Sequence, residues 1–299
     1  MSAAISTKGL VKRYGRRRAL DGFTLAVPSG ATVGLVGCNG SGKTTWMMSV
    51  AGFVKPDGGE IDILGRGAFD AGVHGGLLGI LPQDSELPPD SRPGELLAQW
   101  GMLQGMTRAK AEDASRRLLA SFNLSDRANA SYRSLSHGMR KRLLSAQAFL
   151  GDPKVVLLDE PLGGLDPVEA DRLRSFILAR RARQTMVISS HDLGDIERLC
   201  THVAFVEAGR VVKMTTLRSL TADSGRVVYE LAAEPSQEAL AAPDEGWAVS
   251  ASGLRVQVDF DPSRHAAQDV NAHFLPRLLP FGVVSVNAGR SLEDVYLGK

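Results

Sequence analysis

The chain has 299 residues, 43% hydrophobic and 23% charged, an ordinary globular composition long enough for about two domains. No apolar run reaches the roughly eighteen residues of a membrane-spanning helix, and two cysteines, Cys38 and Cys200, give neither a disulfide framework nor a metal-binding spacing, which suits a reducing cytosol. The net charge of +2 decides nothing about nucleic acid, but residues 221–299 hold six Lys/Arg against eleven Asp/Glu, so a domain boundary is expected near 220.

The opening MSAAISTKGLVKRYG lacks an apolar signal core. Ile5 to Lys12, Phe23 to Val27 and Thr32 to Val36 read as short strands separated by RRR and PSG punctuation. Tyr14, just before Arg16, Arg17 and Arg18, offers a ring on which a nucleobase can stack; the arginines read as a solvated face.

The strand 32–36 runs into Gly37, Cys38, Asn39, Gly40, Ser41, Gly42, Lys43, Thr44 and Thr45, which fits the phosphate-binding pattern G-x-x-x-x-G-K-[ST]. Glycines let the backbone approach a ligand, and the loop amides lead into the N-terminus of a helix expected from Lys43 to Gly52. Lys43 is then placed to reach the terminal phosphates and Thr44 to sit on Mg²⁺.

A turn at 56–59, a strand at 60–64 and a second apolar run at 77–81, ending at Pro82 and Gln83, come next. From 88 to 150 apolar residues recur three and four apart, as in 95–104 and 110–122, which predicts a small helical subdomain. Ser136 stands where it can cap a following helix, a second anion-binding end.

KVVLLDE, 154–160, reads as a fully buried parallel strand with two carboxylates at its C-terminal end, where open α/β sheets place their ligands. Asp159 is placed to hold Mg²⁺, directly or through water, and Glu160 to polarise an attacking water. Gly163 to Pro167 form a turn that opens a helix, 186–189 is a strand, and His191 stands just past it as a donor toward a phosphate or the catalytic water. A helix from Asp192 to Leu199 and a hairpin around 207–209 follow. Beyond 221 the pattern is strand 227–231, helix 236–241, hairpin 247–259, helix 264–279, strand 282–286 and helix 292–297, a βαββαβ order that suggests a ferredoxin-like unit.

Taken together, residues 5–220 resemble the ATP-binding subunit of an ATP-binding cassette (ABC) transporter. Tyr14 matches its adenine-stacking aromatic, 37–45 the Walker A loop, Gln83 the Q-loop, 135–139 the signature motif, Asp159 and Glu160 Walker B, 164–166 the D-loop and His191 the switch histidine. The resemblance implies an α/β P-loop NTPase of ABC type with an antiparallel β subdomain and an α-helical subdomain, here followed by a small α+β C-terminal domain. It also implies ATP and Mg²⁺ as ligands, Gln83 beside the metal, and a transmembrane permease as partner. A second copy or related cassette would bring Ser136, Gly138 and Asp166 to the nucleotide. No nucleic acid is expected. The location implied is cytoplasmic, peripheral on the inner membrane face. Cys38 stands where proline is usual, and His137 and Met139 replace the first glycine and the glutamine of LSGGQ. SLEDVYL at 291–297 and the segment 87–97 resemble bacterial multidrug- or polymer-type exporters. The competing expectations are a soluble ABC-type ATPase acting on nucleic acid or ribosomes, and a subunit that holds ATP without turnover.

Overall fold

Alternating apolar residues draw the first two strands, β1 (Ala3–Tyr14) and β2 (Arg17–Pro28), into an antiparallel hairpin whose inner face buries Ile5, Leu10, Leu20, Phe23 and Val27. The arginine run does not separate them. Tyr14 pairs with Arg17 across a two-residue turn, Gly15 takes the left-handed backbone that such a turn favours, and Arg17 and Arg18 already belong to β2. β3 (Thr32–Val36), buried throughout, leads through the glycine loop into α1 (Lys43–Val50). β4 (Gly58–Ile63) then returns beside β1, giving a three-stranded sheet of order β2-β1-β4.

This sheet holds the loop helix from behind. Trp46 of α1 is fully buried, its Nε1 donates to Thr7 Oγ1 at 3.1 Å, and its ring stacks on Phe23 with centroids 5.8 Å apart. Truncating such a tryptophan typically costs about 3–5 kcal/mol, so the helix axis is firmly set relative to β1 and β2.

A single turn, α2 (Ala71–His74), follows β4; Asp70 caps it by accepting from Gly72 N at 2.8 Å, a short-range signal too brief to show periodicity. β5 (Leu78–Leu81) precedes the helical segment, α3 (Pro93–Leu103), α4 (Arg108–Ser121) and α5 (His137–Ala148). The chain then alternates: β6 (Val155–Asp159), α6 (Pro167–Arg180), β7 (Thr185–Ser189), α7 (Leu193–Leu199), β8 (His202–Glu207) and β9 (Arg210–Thr216). The central sheet has the order β5-β6-β7-β3-β8-β9, and β5 through β8 pair in parallel. β3, β6 and β7 are buried at every residue, as strands covered on both faces must be. Their C-terminal ends, Val36, Asp159 and Ser189, therefore lie along one edge, where a doubly covered sheet takes its ligand.

The structure, a computed structural model, describes residues 2–83, 85–222, 225–243, 246–289 and 292, and the chain divides into two compact units, Met1–Met214 and Thr215–Lys299. In the second, α8 (Leu217–Ala222) precedes β10 (Arg226–Leu231), β11 (Trp247–Ser252), β12 (Arg255–Phe260), α9 (Ala267–Leu278) and β13 (Val283–Ala288). The four strands form an antiparallel sheet of order β11-β12-β10-β13, and Val270, Phe274 and Leu278, four apart on α9, pack with Tyr229 and Trp247 in its core. Two expectations change. Residues 236–241 form a turn of i→i+3 bonds, not a helix, because Pro235 and Pro243 leave too few residues between them to repay nucleation. The last long helix starts at Ala267, since Asp261 closes its own turn by accepting from Ser263 N at 2.9 Å. The helix expected at 292–297 lies outside the described residues except for Leu292.

Candidate nucleotide site

The loop after β3 wraps the start of α1. Gly42 sits at the N-cap with φ 113°, no side chain caps the helix, and its first turn holds no acidic residue. The first amides of α1 therefore have no side-chain acceptor and form an anion-binding end. A Cβ on Gly42 would stand 2.6 Å from the Ala19 carbonyl, so alanine is excluded there on two counts. The turn between β8 and β9 braces the loop from outside: Gly209 N donates to Ser41 O at 2.8 Å, and Asp21 N to Gly209 O at 3.0 Å. Nothing in the local sequence marks this brace.

Lys43 is buried, with Nζ donating to the carbonyls of Gly37 (2.7 Å) and Cys38 (3.1 Å). Burial lowers its pKa below the ordinary lysine value, while the charges of Glu160 and Asp159 oppose that shift. An ammonium kept in place by neutral carbonyls is suited to a polyanion that brings the missing countercharge.

Asp159 ends β6 and is buried. Ser189, at the end of β7, donates through Oγ to Asp159 Oδ1 in a short hydrogen bond, while Asp159 Oδ2 is buried with no partner. An orphaned buried acceptor costs about 1–3 kcal/mol, which a cation would relieve. The donor set fits Mg²⁺: one carboxylate oxygen, with the Thr44 hydroxyl and Gln83 lining the same cavity. Among the described residues no three His, Cys, Asp or Glu converge on a metal, as expected where substrate and water supply most ligands.

Glu160 carries a signal that no sequence pattern shows. Its φ is 50°, a left-handed backbone costing about 1–3 kcal/mol for a residue with a side chain. Two bonds hold it there, from its amide to Ser189 O at 3.2 Å and to Ser189 Oγ at 3.0 Å. The bend turns the carboxylate to His191, whose Nδ1 lies 2.8 Å from Glu160 Oε2. Ser189 thus holds the Asp159 carboxylate and the Glu160 backbone at once. It was legible only as a strand residue, although its place beside two acids at equal depth in a parallel sheet is the clue.

A cavity of about 440 Å³ is lined by Tyr14, Arg17, Asn39, Gly40, Gly42, Lys43, Thr44, Thr45, Gln83, Asp159 and Glu160. Most of the residues expected at the nucleotide meet here, but Gly37, Ser41 and His191 do not line it. An adjoining hollow of about 670 Å³ shares Asn39, Gln83 and Glu160 and adds His137, Arg140 and His191. A larger one, about 880 Å³, lies between α3 and α4, remote from these groups. Ser136, Gly138 and Asp166 line none of the three. Ser136 caps α5, accepting from Met139 N at 3.3 Å, and Asp166 caps α6, accepting from Val168 N (3.1 Å) and Glu169 N (3.0 Å). Within a single chain, then, Asp166 is a helix cap and stands apart from the cavity that Lys43 occupies. The arginine run is exposed, as expected, and Arg17 adds one bond from there, donating from Nη2 to Gly40 O at 2.7 Å.

The fold and this cavity define a phosphate-loop nucleoside triphosphatase of the cassette type. The family profile described as ABC transporter matches residues 20–163. Nod factor export ATP-binding protein I of Ralstonia nicotianae is 34% identical over 214 residues, covering 70% of this chain and 65% of that protein, slightly under two thirds of its length. The protein of the same name from Burkholderia thailandensis is 32% identical over 99% of this chain and 96% of its own. A solved ATP-binding subunit of an ABC transporter superposes with a TM-score of 0.66 at 27% identity, covering 73% of this chain and 91% of that one. A dimeric cassette solved with ADP and Pi in a post-hydrolysis state shares the fold, with a TM-score of 0.66 at 21% identity over 72% and 99% of the two chains. The chain belongs to the ABC transporter family, as an ATP-binding cassette of its ATPase class. A soluble ATPase working on nucleic acid or ribosomes is not favoured by these relatives.

Proposed function

We propose that this cassette hydrolyses Mg·ATP to power export through a separate transmembrane permease, to which it is held as a peripheral subunit on the cytoplasmic face. The observation that carries the hydrolytic reading is the meeting of buried Lys43, the unpartnered Asp159 Oδ2 and Glu160 around one cavity, with His191 bonded to Glu160 from the adjoining hollow. Lys43 and the amides of 40–45 hold the terminal phosphates. Thr44, Asp159 and Gln83 hold Mg²⁺, which when bound neutralises charge on the phosphate oxygens. Glu160 takes a proton from the attacking water, and His191, bonded to Glu160 Oε2, fixes the direction of that carboxylate. The export reading is supported by the names of the relatives, and among the described residues no helix is long and apolar enough to cross a membrane.

Ser136, Gly138 and His137 lie at the start of α5, outside the cavity that Lys43 occupies. A second copy, or a related cassette, brings that helix end to the open side of the phosphates, so that two nucleotides are enclosed between two subunits. Loss of the terminal phosphate then loosens the pair. The unit 215–299 is proposed as an accessory domain of ferredoxin-like strand order whose first crossover is a turn. The test is turnover against protein concentration, together with capture of the membrane protein that co-purifies. Turnover per subunit falling on dilution supports the shared site; a dilution-independent rate in a proven monomer contradicts it.

A further inference from the structure

The nucleotide cavity is lined by a second cationic side chain. Lys43 and Arg17 stand there against the carboxylates Asp159 and Glu160. A nucleoside triphosphate with Mg²⁺ still carries about two negative charges, more than Lys43 alone offsets beside two acids.

Arg17 reaches the site by construction. It opens β2 directly opposite Tyr14, so the aromatic ring and the guanidinium leave the two ends of one tight turn. Its Nη2 spans to the phosphate loop and donates to Gly40 O at 2.7 Å. The neighbouring cations Arg18 and Arg210 are both paired with Asp21, at 2.7 and 2.8 Å. Arg17 is instead held by a neutral carbonyl. A guanidinium has five N–H donors in a planar fork, so one bond to the loop leaves the rest for an oxyanion. Gly40 is the loop residue it fastens, and a Cβ there would run into the guanidinium itself.

We propose that Arg17 is a nucleotide-binding residue: it braces the loop at Gly40 and directs its remaining donors to the phosphate chain of the nucleotide, supplying charge that Lys43 does not. This rests on the nucleotide reading of the cavity, which is settled first by ATP binding to the wild-type chain and its loss in Lys43→Ala. Equilibrium affinities for ATP, ADP and adenosine are then compared in Arg17→Gln, which removes the charge, and in Arg17→Lys, which keeps it. Affinity for ATP and ADP falls about tenfold or more in Arg17→Gln, the size of one charged hydrogen bond. Adenosine affinity is unchanged, the salt dependence of ATP binding is weakened, and Arg17→Lys recovers part of the loss. Nucleotide-free melting midpoints of the variants match the wild type. ATP affinity within twofold of wild type in Arg17→Gln overturns the assignment and leaves Arg17 a loop brace. An equal loss for adenosine overturns it too, since the effect then lies at the base.

Discussion

Replacing Ser189 by alanine removes one hydroxyl that binds both the Asp159 carboxylate and the Glu160 amide. The residue is fully buried, donates to Asp159 Oδ1 and accepts from Glu160 N at 3.0 Å. Asp159 Oδ2 already lacks a partner, so the variant strands a buried carboxylate. Losing a hydrogen bond to a charged group costs about 1.5–3 kcal/mol, whereas Glu160 N keeps the Ser189 carbonyl at 3.2 Å, so the second bond adds little. A loss of about 2 kcal/mol in a unit of this size lowers the melting midpoint by about 4–8 °C. Mg·ATP narrows the gap, because a cation at Asp159 supplies what the hydroxyl no longer does. Thermal melts of wild type and Ser189→Ala, with and without Mg·ATP, measure both effects. Nucleotide-free midpoints within about one degree of each other would refute the idea that Ser189 holds the metal-side carboxylate.

Three other outcomes follow from the same geometry. ATP affinity weakens at alkaline pH: burial depresses the Lys43 pKa below 10.5, so as pH rises through that lowered value the lysine loses its proton and the phosphates lose a cation; an affinity profile that stays flat up to pH 10.5 contradicts this. Gly42→Ala abolishes nucleotide binding, because φ 113° and the Ala19 carbonyl leave no room for a methyl group; titration at wild-type affinity would contradict the loop geometry. Chelation of divalent metal stops turnover while Lys43 and the loop amides still retain ATP weakly, which parallel binding and phosphate-release assays with EDTA measure.

The parts of the site that were legible in the sequence are those whose chemistry is local. Gly37 to Thr45 must bend, free their amides and start a helix, and KVVLLDE must be a buried strand ending in acids; both needs are written in adjacent residues. What was not legible depends on contacts across the sheet. Ser189 holds Asp159 and Glu160 only because β6 and β7 are in register at Asp159 and Ser189. Arg17 reaches Gly40, and Gly209 reaches Ser41, over separations that no motif spans. The left-handed backbone of Glu160 is held by its tertiary bonds against its own preference. In the second unit, helical periodicity at 236–241 was overridden by its flanking prolines, and in the first Asp166 also caps a helix, because a carboxylate before Pro167 has two free helix amides within reach.

Glu160→Gln, assayed for ATP binding and for turnover on the same preparation, tests the hydrolytic chemistry most directly. The substitution keeps shape but removes the proton acceptor beside His191, so Mg·ATP is bound as well as by wild type or better while hydrolysis falls by a factor of about 10² or more. Turnover at the wild-type rate with binding intact would remove Glu160 from the role of base and contradict this mechanism.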